Sequence, residues 1–250
     1  MNKISSITIA KNEEANLARC LKSLKGIVDE LVVLVDESST DGTLEIAREY
    51  ADVVQSVAWE GYSKTKSKAV ELCSNDWIFW IDADEEATEE LKNELNEWKN
   101  STPSFPAYRV ARRAFFLNKW IKHSGWYPGY ATRLFNKHKA HFSDSDVHEF
   151  LHVDGKIGTL KNDLNHYTDP TIHHYFVKFN SYTSLAAEEI VRKGKKVGIT
   201  DLLLRPFFIF IKMFIFRLGI LDGLHGFILA GFSSMYVFVK YAKAIEKKLK

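Results

Sequence analysis

The chain has 250 residues, with 34 Lys and Arg against 32 Asp and Glu for a formal net charge of +2, and 46% of it is hydrophobic. That length fits one large domain or a domain with an appendage, and so small a net charge excludes a nucleic-acid partner bound by bulk electrostatics. Two cysteines far apart, Cys20 and Cys73, form neither a disulfide ladder nor a zinc spacing, which points to a reducing, cytosolic setting.

Met1 to Ile4 enters a strand at once, so no signal peptide is expected. Ile4 to Ala10 is rich in β-formers. Asn12 can cap a helix running to Lys25, with Leu17, Leu21 and Leu24 on one face and Gly26 as its stop. Glu30 to Val35 is a buried strand ending at Asp36. A helix from Gly42 to Ala51, a strand from Asp52 to Val57 and a helix from Ser63 to Cys73 follow. Trp77 to Ile81 is a fourth strand, and Thr88 to Asn100 a helix. Repeated βαβ units predict a parallel sheet with right-handed crossovers, whose ligands sit at the carboxyl ends of the strands.

The pattern changes after Pro103 and Pro106. Tyr108 to Phe116, Ala131 to Phe135, Glu149 to Val153 and Lys156 to Leu160 read as strands, and Asp154-Gly155 as a hairpin turn. An amphipathic helix is predicted from Thr171 to Lys193. Leu202 to Phe216 and Leu218 to Tyr241 are strongly apolar, broken by Arg205, Lys212, Arg217, Asp222 and His225. The uncharged run Gly226 to Val239, though long, falls short of the roughly 20 residues that span a bilayer. These helices read either as ordinary core or as segments lying in a membrane interface with basic residues at the headgroups. Five phenylalanines between Phe207 and Phe216 exceed what one core-facing stripe needs, which favours the membrane. The expected division is 1–198 as the main domain, with halves 1–102 and 103–198, and 199–250 as a membrane-association region.

The sharpest chemical signal is the run from Trp77 to Glu86. Large apolar residues lead into Asp82-Ala83-Asp84-Glu85-Glu86, and crowded carboxylates at a buried strand end need a cation. A hard divalent metal bridging to phosphates supplies one. The same acids also suit the solvated first turn of the next helix. Two more strand ends are acidic: Lys11-Asn12-Glu13-Glu14, and Asp36 through Asp41-Gly42. Neighbouring parallel strands bring all three to one sheet edge, where a carboxylate can accept from a base N–H or ribose hydroxyls. Asp41 also reads as a simple helix cap. Aromatic faces at Trp120, Trp126, Tyr127 and Tyr130 suit sugar rings or core packing. Arg112, Arg113, Lys119 and Lys122 suit acceptor phosphates or a solvated face.

Ile7 to Glu14, Val35 to Thr43 and Ile81 to Glu85 resemble the three N-terminal motifs of family 2 glycosyltransferases with the GT-A fold, an α/β, Rossmann-like, mostly parallel sheet with flanking helices. Trp59-Glu60-Gly61-Tyr62 with Lys66, Arg112 to Leu117, Gly125 to Pro128, Arg133-Leu134-Phe135, Val147-His148-Glu149, His166-Tyr167 and Leu221 to Gly226 extend the likeness over nearly the whole chain. Together they are similar to the lipopolysaccharide core glucosyltransferases that add β-linked glucose to inner-core heptose.

The resemblance implies roles. Asp36 would hold the uracil or ribose with Glu13 nearby, and Asp41 would line the same nucleotide-sugar site. Asp82 would contact the ribose or the metal, and Asp84 would bind Mn or Mg at the diphosphate. Lys66 and Arg133 would contact the diphosphate. His166, or else His148, would be a further metal ligand. Glu149 would be the catalytic base, with Asp146 as the alternative and Asp144 behind it. Glu37, in place of a small residue, and Ser67, where Asn is frequent, depart from the pattern. The implied activity is an inverting, metal-dependent transfer of a hexose from a UDP-sugar to a lipid-linked glycan. It would take place at the cytoplasmic face of the inner membrane, on a protein held peripherally by its C-terminal helices. A polyprenyl-phosphate glycosyltransferase and a non-catalytic membrane adaptor with a degenerate nucleotide pocket are the rival readings.

Overall fold

A computed structural model describes residues 1–143 and 150–249. Its strands are β1 (Ile4–Ala10), β2 (Glu30–Asp36), β3 (Val53–Val57), β4 (Trp77–Trp80), β5 (Glu85–Ala87), β6 (Ala107–Phe116), β7 (Lys119–Trp120), β8 (Ala131–Asn136), β9 (Ala140–Phe142), β10 (Leu151–Val153) and β11 (Ile157–Asp169). The α-helices are α1 (Leu17–Leu24), α2 (Thr43–Tyr50), α3 (Tyr62–Glu71), α4 (Glu89–Lys99), α5 (Ile172–Arg192), α6 (Ile199–Ile211) and α7 (Leu224–Leu249). The protein forms two compact units, Met1–Arg112 with Gly129–His166, and Arg113–Pro128 with Tyr167–Lys250.

The first unit is built on a sheet of order β3-β2-β1-β4-β8-β6-β11-β5. Strands β3, β2, β1 and β4 are parallel, and β8 joins β4 antiparallel. Continuous apolar runs form β2 and β4 because both faces are covered, and β1 is buried along nearly its whole length although it carries Ser5, Ser6 and Thr8. Ile4, Val33 and Phe79 face a core with Leu17, Leu21, Leu91 and Leu95, while Ile7, Val32, Leu34 and Ile78 face one with Ala69, Cys73 and Phe142. Each fully buried side chain of this size contributes about 1.5–3 kcal/mol. Parallel pairing of β1 with β2 and β4 brings the three acidic strand ends to one edge, as the βαβ pattern predicts.

Four local expectations need correction. Helix α1 starts at Leu17, not Asn12; Asn12 has φ 53° and its Oδ1 accepts from Thr40 N–H at 2.9 Å, so this stretch is a strand-end loop. Glu85 to Ala87 is a strand paired with β11, not a solvated helical turn, and Glu85 is fully buried. Strand β11 runs far past Leu160, because Glu94 accepts from Lys161 N–H at 2.8 Å and Asn162 N–H at 2.9 Å and so satisfies its polar middle. The turn at Gly155, φ 130°, joins β11 to β10, but β10 pairs antiparallel with β9 in a separate two-stranded sheet.

In the second unit α7 packs against α6 and α5. The composition break near residue 198 marks the start of the apolar helices, while α5, before it, lies in the same unit as they do. Thr171 caps α5 by accepting from His174 N–H at 3.1 Å. A π-helical turn at Lys212–Phe216 and a 3-10 turn at Gly219–Asp222 link α6 to α7. Phe116, Ile121 and Leu229 form a small buried core with Tyr175, Met213 and Phe232 around it. Polar ties hold α7 down: Lys243 Nζ donates to Asn180 C=O, Thr183 Oγ1 and Ser184 Oγ, each at 2.9 Å, and Ser234 Oγ donates to Pro206 C=O at 2.9 Å. Helix α7 is long and apolar enough to cross a membrane by length and composition alone. Large apolar side chains stay exposed on the outer surface, among them Phe207, Phe208, Phe216, Leu221 and Leu224.

Candidate active site

The loops after β1 and β2 are knitted together by their own polar groups. Glu14 Oε2 accepts from Gly42 N–H at 2.6 Å, Thr43 Oγ1 accepts from Glu13 N–H at 2.7 Å, and Asp41 Oδ2 accepts from Glu14 N–H at 3.2 Å. Asp41 Oδ1 accepts from Thr43 Oγ1 at 2.5 Å, so this carboxylate is spent on joining the loops. Asp36 is buried at the end of β2. Its Oδ1 accepts from Ser38 N–H and Oγ at 2.8 Å, and Lys11 Nζ lies 3.0 Å from Oδ2. The Ser38 N–H and the Lys11 ammonium hold its carboxyl below the usual carboxylate range, against the effect of burial.

After β4 the backbone turns through Asp82, Ala83 and Asp84 into β5. Arg133, on β8 and 1% exposed, bridges two acids: its Nη2 lies 2.6 Å from Asp82 Oδ2 and 2.6 Å from Glu85 Oε1. Lys66, equally buried on α3, puts Nζ 3.7 Å from Asp82 Oδ1. Arg112 Nη1 is 3.6 Å from Glu85 Oε1, and Asp82 N–H donates to Glu85 Oε2 at 3.0 Å. Trp80 floors the cluster: Lys66 Nζ lies 3.6 Å and Arg133 Cζ 4.3 Å from the ring centroid, and its indole N–H donates to Asp82 Oδ1 at 3.2 Å. Burial pushes the Asp82 carboxyl up, but Arg133 and Lys66 outweigh it and hold it well below the usual range. Arg133 Nε and Nη1 are buried and meet no acceptor among the described residues.

Asp84 stands apart from this cation cluster. Its Oδ2 is 3.4 Å from His166 Nε2, and both side chains are partly exposed. The antiparallel pairing of β11 with β5 sets His166 opposite Glu85 and so beside Asp84. No three His, Cys, Asp or Glu side chains among the described residues form a closed metal site. One carboxylate and one imidazole within reach of each other do fit a hard cation whose remaining ligands come from phosphate and water. The oxygens of Asp82 are already engaged by cations and an indole N–H, which leaves Asp84 and His166 as the accessible donor pair.

Thus Glu13, Asp36, Asp41, Lys66, Asp82, Asp84, Arg133 and His166 all lie at the carboxyl edge of the sheet, in three groups: the knitted loops, the cation cluster and the Asp84–His166 pair. Lys66 and Arg133, expected at a diphosphate, spend their charge on Asp82. Asp144, Asp146, His148 and Glu149 fall in the connection between β9 and β10, outside the described residues. On its flanks, Ser143 N–H donates to Phe150 C=O at 2.8 Å and Phe142 packs on Trp80 with centroids 5.2 Å apart. Sequence reasoning missed Glu85 and Trp80 as members of the cluster. The signal available was four acids within five residues, too many to be balanced by one cation.

Residues 5–153 match the family model described as Glycosyl transferase family 2. An uncharacterized glycosyltransferase of Rickettsia felis is 35% identical over 261 residues, covering 100% of this chain and 92% of that protein. The lipopolysaccharide core biosynthesis glycosyltransferase LpsC of Rhizobium meliloti is 31% identical, covering 98% of this chain and 92% of its own length. Among solved structures, the mannosyltransferase PcManGT from Pyrobaculum calidifontis, in complex with GDP-Man and Mn2+, superposes with a TM-score of 0.54 at 14% identity over 98% of this chain and 88% of that one. The fold is that of the GT-A glycosyltransferases, and by its motifs, its sheet and its full-length relatives the chain belongs to glycosyl transferase family 2.

Proposed function

We propose that the protein is an inverting hexosyltransferase that moves glucose from UDP-glucose to a lipid-linked glycan such as inner-core heptose, with Mn or Mg as its metal. The observation that carries this reading is the Asp84–His166 pair, 3.4 Å apart, beside an Asp82 neutralised by Arg133 and Lys66. The likeness to LpsC over nearly the whole chain supports an acceptor in the lipopolysaccharide core.

Asp36, held ionised, accepts from the uracil or ribose of the donor, with Glu13 beside it. Asp84 and His166 would hold the metal, which when bound supplies positive charge to the diphosphate leaving group. Arg133 and Lys66 neutralise and fix Asp82 beside that pair. Glu149, with Asp146 as the alternative, takes the proton of the acceptor hydroxyl as the anomeric carbon is attacked from the side opposite the diphosphate. The packing of Phe142 on Trp80 supports that assignment, since it ties the stem of the β9–β10 connection to the cation cluster.

We assign the protein a peripheral position on the cytoplasmic face of the inner membrane, through the exposed apolar side chains of α6, the linking turns and α7. The ties from α7 to α5 and α6 favour a helix lying in the interface over one crossing it. The test is UDP release from a panel of UDP-sugars with a deacylated heptose-containing core as acceptor. The expected result is acceptor-stimulated release from UDP-glucose, cut about 10²–10⁴-fold by Glu149→Gln or by Asp146→Asn. Turnover untouched by both substitutions would shift the assignment to a polyprenyl-phosphate acceptor, which needs no protein base.

A further inference from the structure

One stretch of the second unit combines concentrated positive charge, strained backbone and a buried carboxylate that serves no step above. Between residues 113 and 128 stand Arg113, Lys119 and Lys122 and no acid. Arg113 Cζ and Lys122 Nζ both lie over the Trp120 ring, 5.1 Å and 4.7 Å from its centroid. The Trp120 indole N–H is buried and meets no acceptor among the described residues. Two cations and an unanswered N–H donor around one ring are the recognition chemistry of an anion rich in acceptor oxygens.

The backbone here is held in a costly shape. Leu117, Asn118 and Ser124 take φ of 49°, 62° and 60°, and Leu218, in the segment that holds the loop, takes 55°. Side chains other than glycine persist in this region only where surrounding contacts over-determine them. At Ser124 the contacts come from Asp222, whereas Leu117 N–H is held by the Asp169 carbonyl at 2.9 Å. Asp222 is 2% exposed, and its carboxylate accepts from Lys122 N–H at 3.2 Å, His123 N–H at 3.0 Å and Ser124 Oγ at 3.3 Å, with His123 Nδ1 at 3.1 Å. Its backbone carbonyl accepts from Lys119 Nζ at 3.0 Å, and Arg217 C=O accepts from Ser124 N–H at 2.8 Å. A Cβ on Gly226 would run into the Gly219 carbonyl, so α7 fixes the turn that carries Asp222.

That turn is also among the most apolar exposed elements of the unit. Leu218, Ile220, Leu221 and Leu224 are 51%, 57%, 64% and 69% exposed. Cations hung from an apolar turn sit at headgroup level when the turn enters a bilayer.

We propose that the Lys119–Tyr127 loop, with Arg113, is a binding site for a phosphate-bearing headgroup of a membrane-anchored acceptor, and that Asp222 is the positioning residue that holds the loop in its binding shape. This rests on the lipid-linked acceptor of the proposed function. The chemistry is that of a phosphate oxyanion, and lipid is the source because the loop and the exposed apolar turn are one hydrogen-bonded element.

The test is co-sedimentation of the full-length protein with phosphatidylcholine vesicles, with and without phosphatidylglycerol. Arg113→Gln/Lys122→Gln is expected to lose at least about tenfold in affinity for the anionic vesicles, from the ~1 kcal/mol carried by each cation near a charged surface, and to keep its binding to neutral ones. Lys195→Gln/Lys196→Gln removes the same charge from the same unit and is expected to lose less. Equal losses in the two double variants would mean general electrostatics and overturn the site, as would wild-type affinity in the first. Asp222→Asn is expected to reproduce the anionic-selective loss; parallel loss on both vesicle types would make it a structural residue only and overturn its positioning role. Millimolar inorganic phosphate is expected to leave vesicle binding unchanged. If it quenches Trp fluorescence in the wild type and displaces the vesicles, the ligand is a soluble anion and the lipid assignment falls. UDP release from UDP-glucose by the wild-type protein reports on the transferase reading separately from all of these outcomes.

Discussion

The two units use charge in opposite ways. The first carries 18 Lys and Arg with 26 Asp and Glu, a net of −8; the second carries 16 with 6, a net of +10. In the first, the charges that matter are buried and answered: Arg133, Lys66 and Glu85 are nearly or fully inaccessible and meet one another through Asp82. In the second, most cations are at the surface beside exposed apolar side chains, over a fully buried core of few residues. An overall charge of +2 therefore hides two units of opposite sign. Acid concentrated on a rigid sheet edge suits a metal and a nucleotide diphosphate. Base concentrated among exposed Phe and Leu suits an anionic membrane surface.

Substitutions that treat the two units alike break or sharpen this contrast. Asp84→Ala should remove about 10²–10³-fold or more of kcat in UDP release, with the thermal midpoint nearly unchanged, because the tie it gives up among the described residues is a partly exposed one to His166. Full turnover would remove Asp84 from the metal site. Arg133→Met removes the nearest cation from both Asp82 and Glu85 and should cost about 3–5 kcal/mol in urea denaturation. Arg205→Met in the second unit removes a half-exposed partner of Asp201 and should cost within about 1 kcal/mol. Similar costs for the two would erase the distinction between answered and surface charge. The smallest effect concerns the thiols of the first unit. Burial pushes Cys73 up to about 12 and Cys20 well above its ordinary value, so neither should react with a maleimide at neutral pH until the protein unfolds. Fast native labelling would show a looser first unit than the one described.

The sequence was most legible where burial is complete. Glu30–Asp36 and Trp77–Trp80 hold unbroken apolar runs covered on both faces, which can be little else when turns bound them, and Ile4–Ala10 was legible by its β-forming residues. The three acidic strand ends followed from that topology, and His166 reached Asp84 through strand pairing. What stayed hidden were elements whose polar groups are satisfied at long range. Glu85 looks solvated in the sequence because Arg133, its partner, is 48 residues away. The middle of β11 looks like a loop because Glu94 answers its backbone from α4. The site in the second unit was legible as residue types, the aromatics and cations of Arg113 to Tyr127, but not as a unit. Its organiser, Asp222, lies about a hundred residues on and reads as a charge interrupting an apolar helix.

The division of labour is tested most directly by comparing kcat/KM for one acceptor in two forms, embedded in anionic vesicles and deacylated in solution. The wild-type protein is set beside Phe207→Ser/Phe208→Ser/Leu221→Ser. Each lost apolar contact with a bilayer is worth about 1.5–3 kcal/mol, so the variant should fall more than about a hundredfold on the embedded acceptor and match the wild type on the soluble one. Equal losses on both forms would contradict this division, because the exposed apolar surface would then serve the fold or the chemistry and not the membrane.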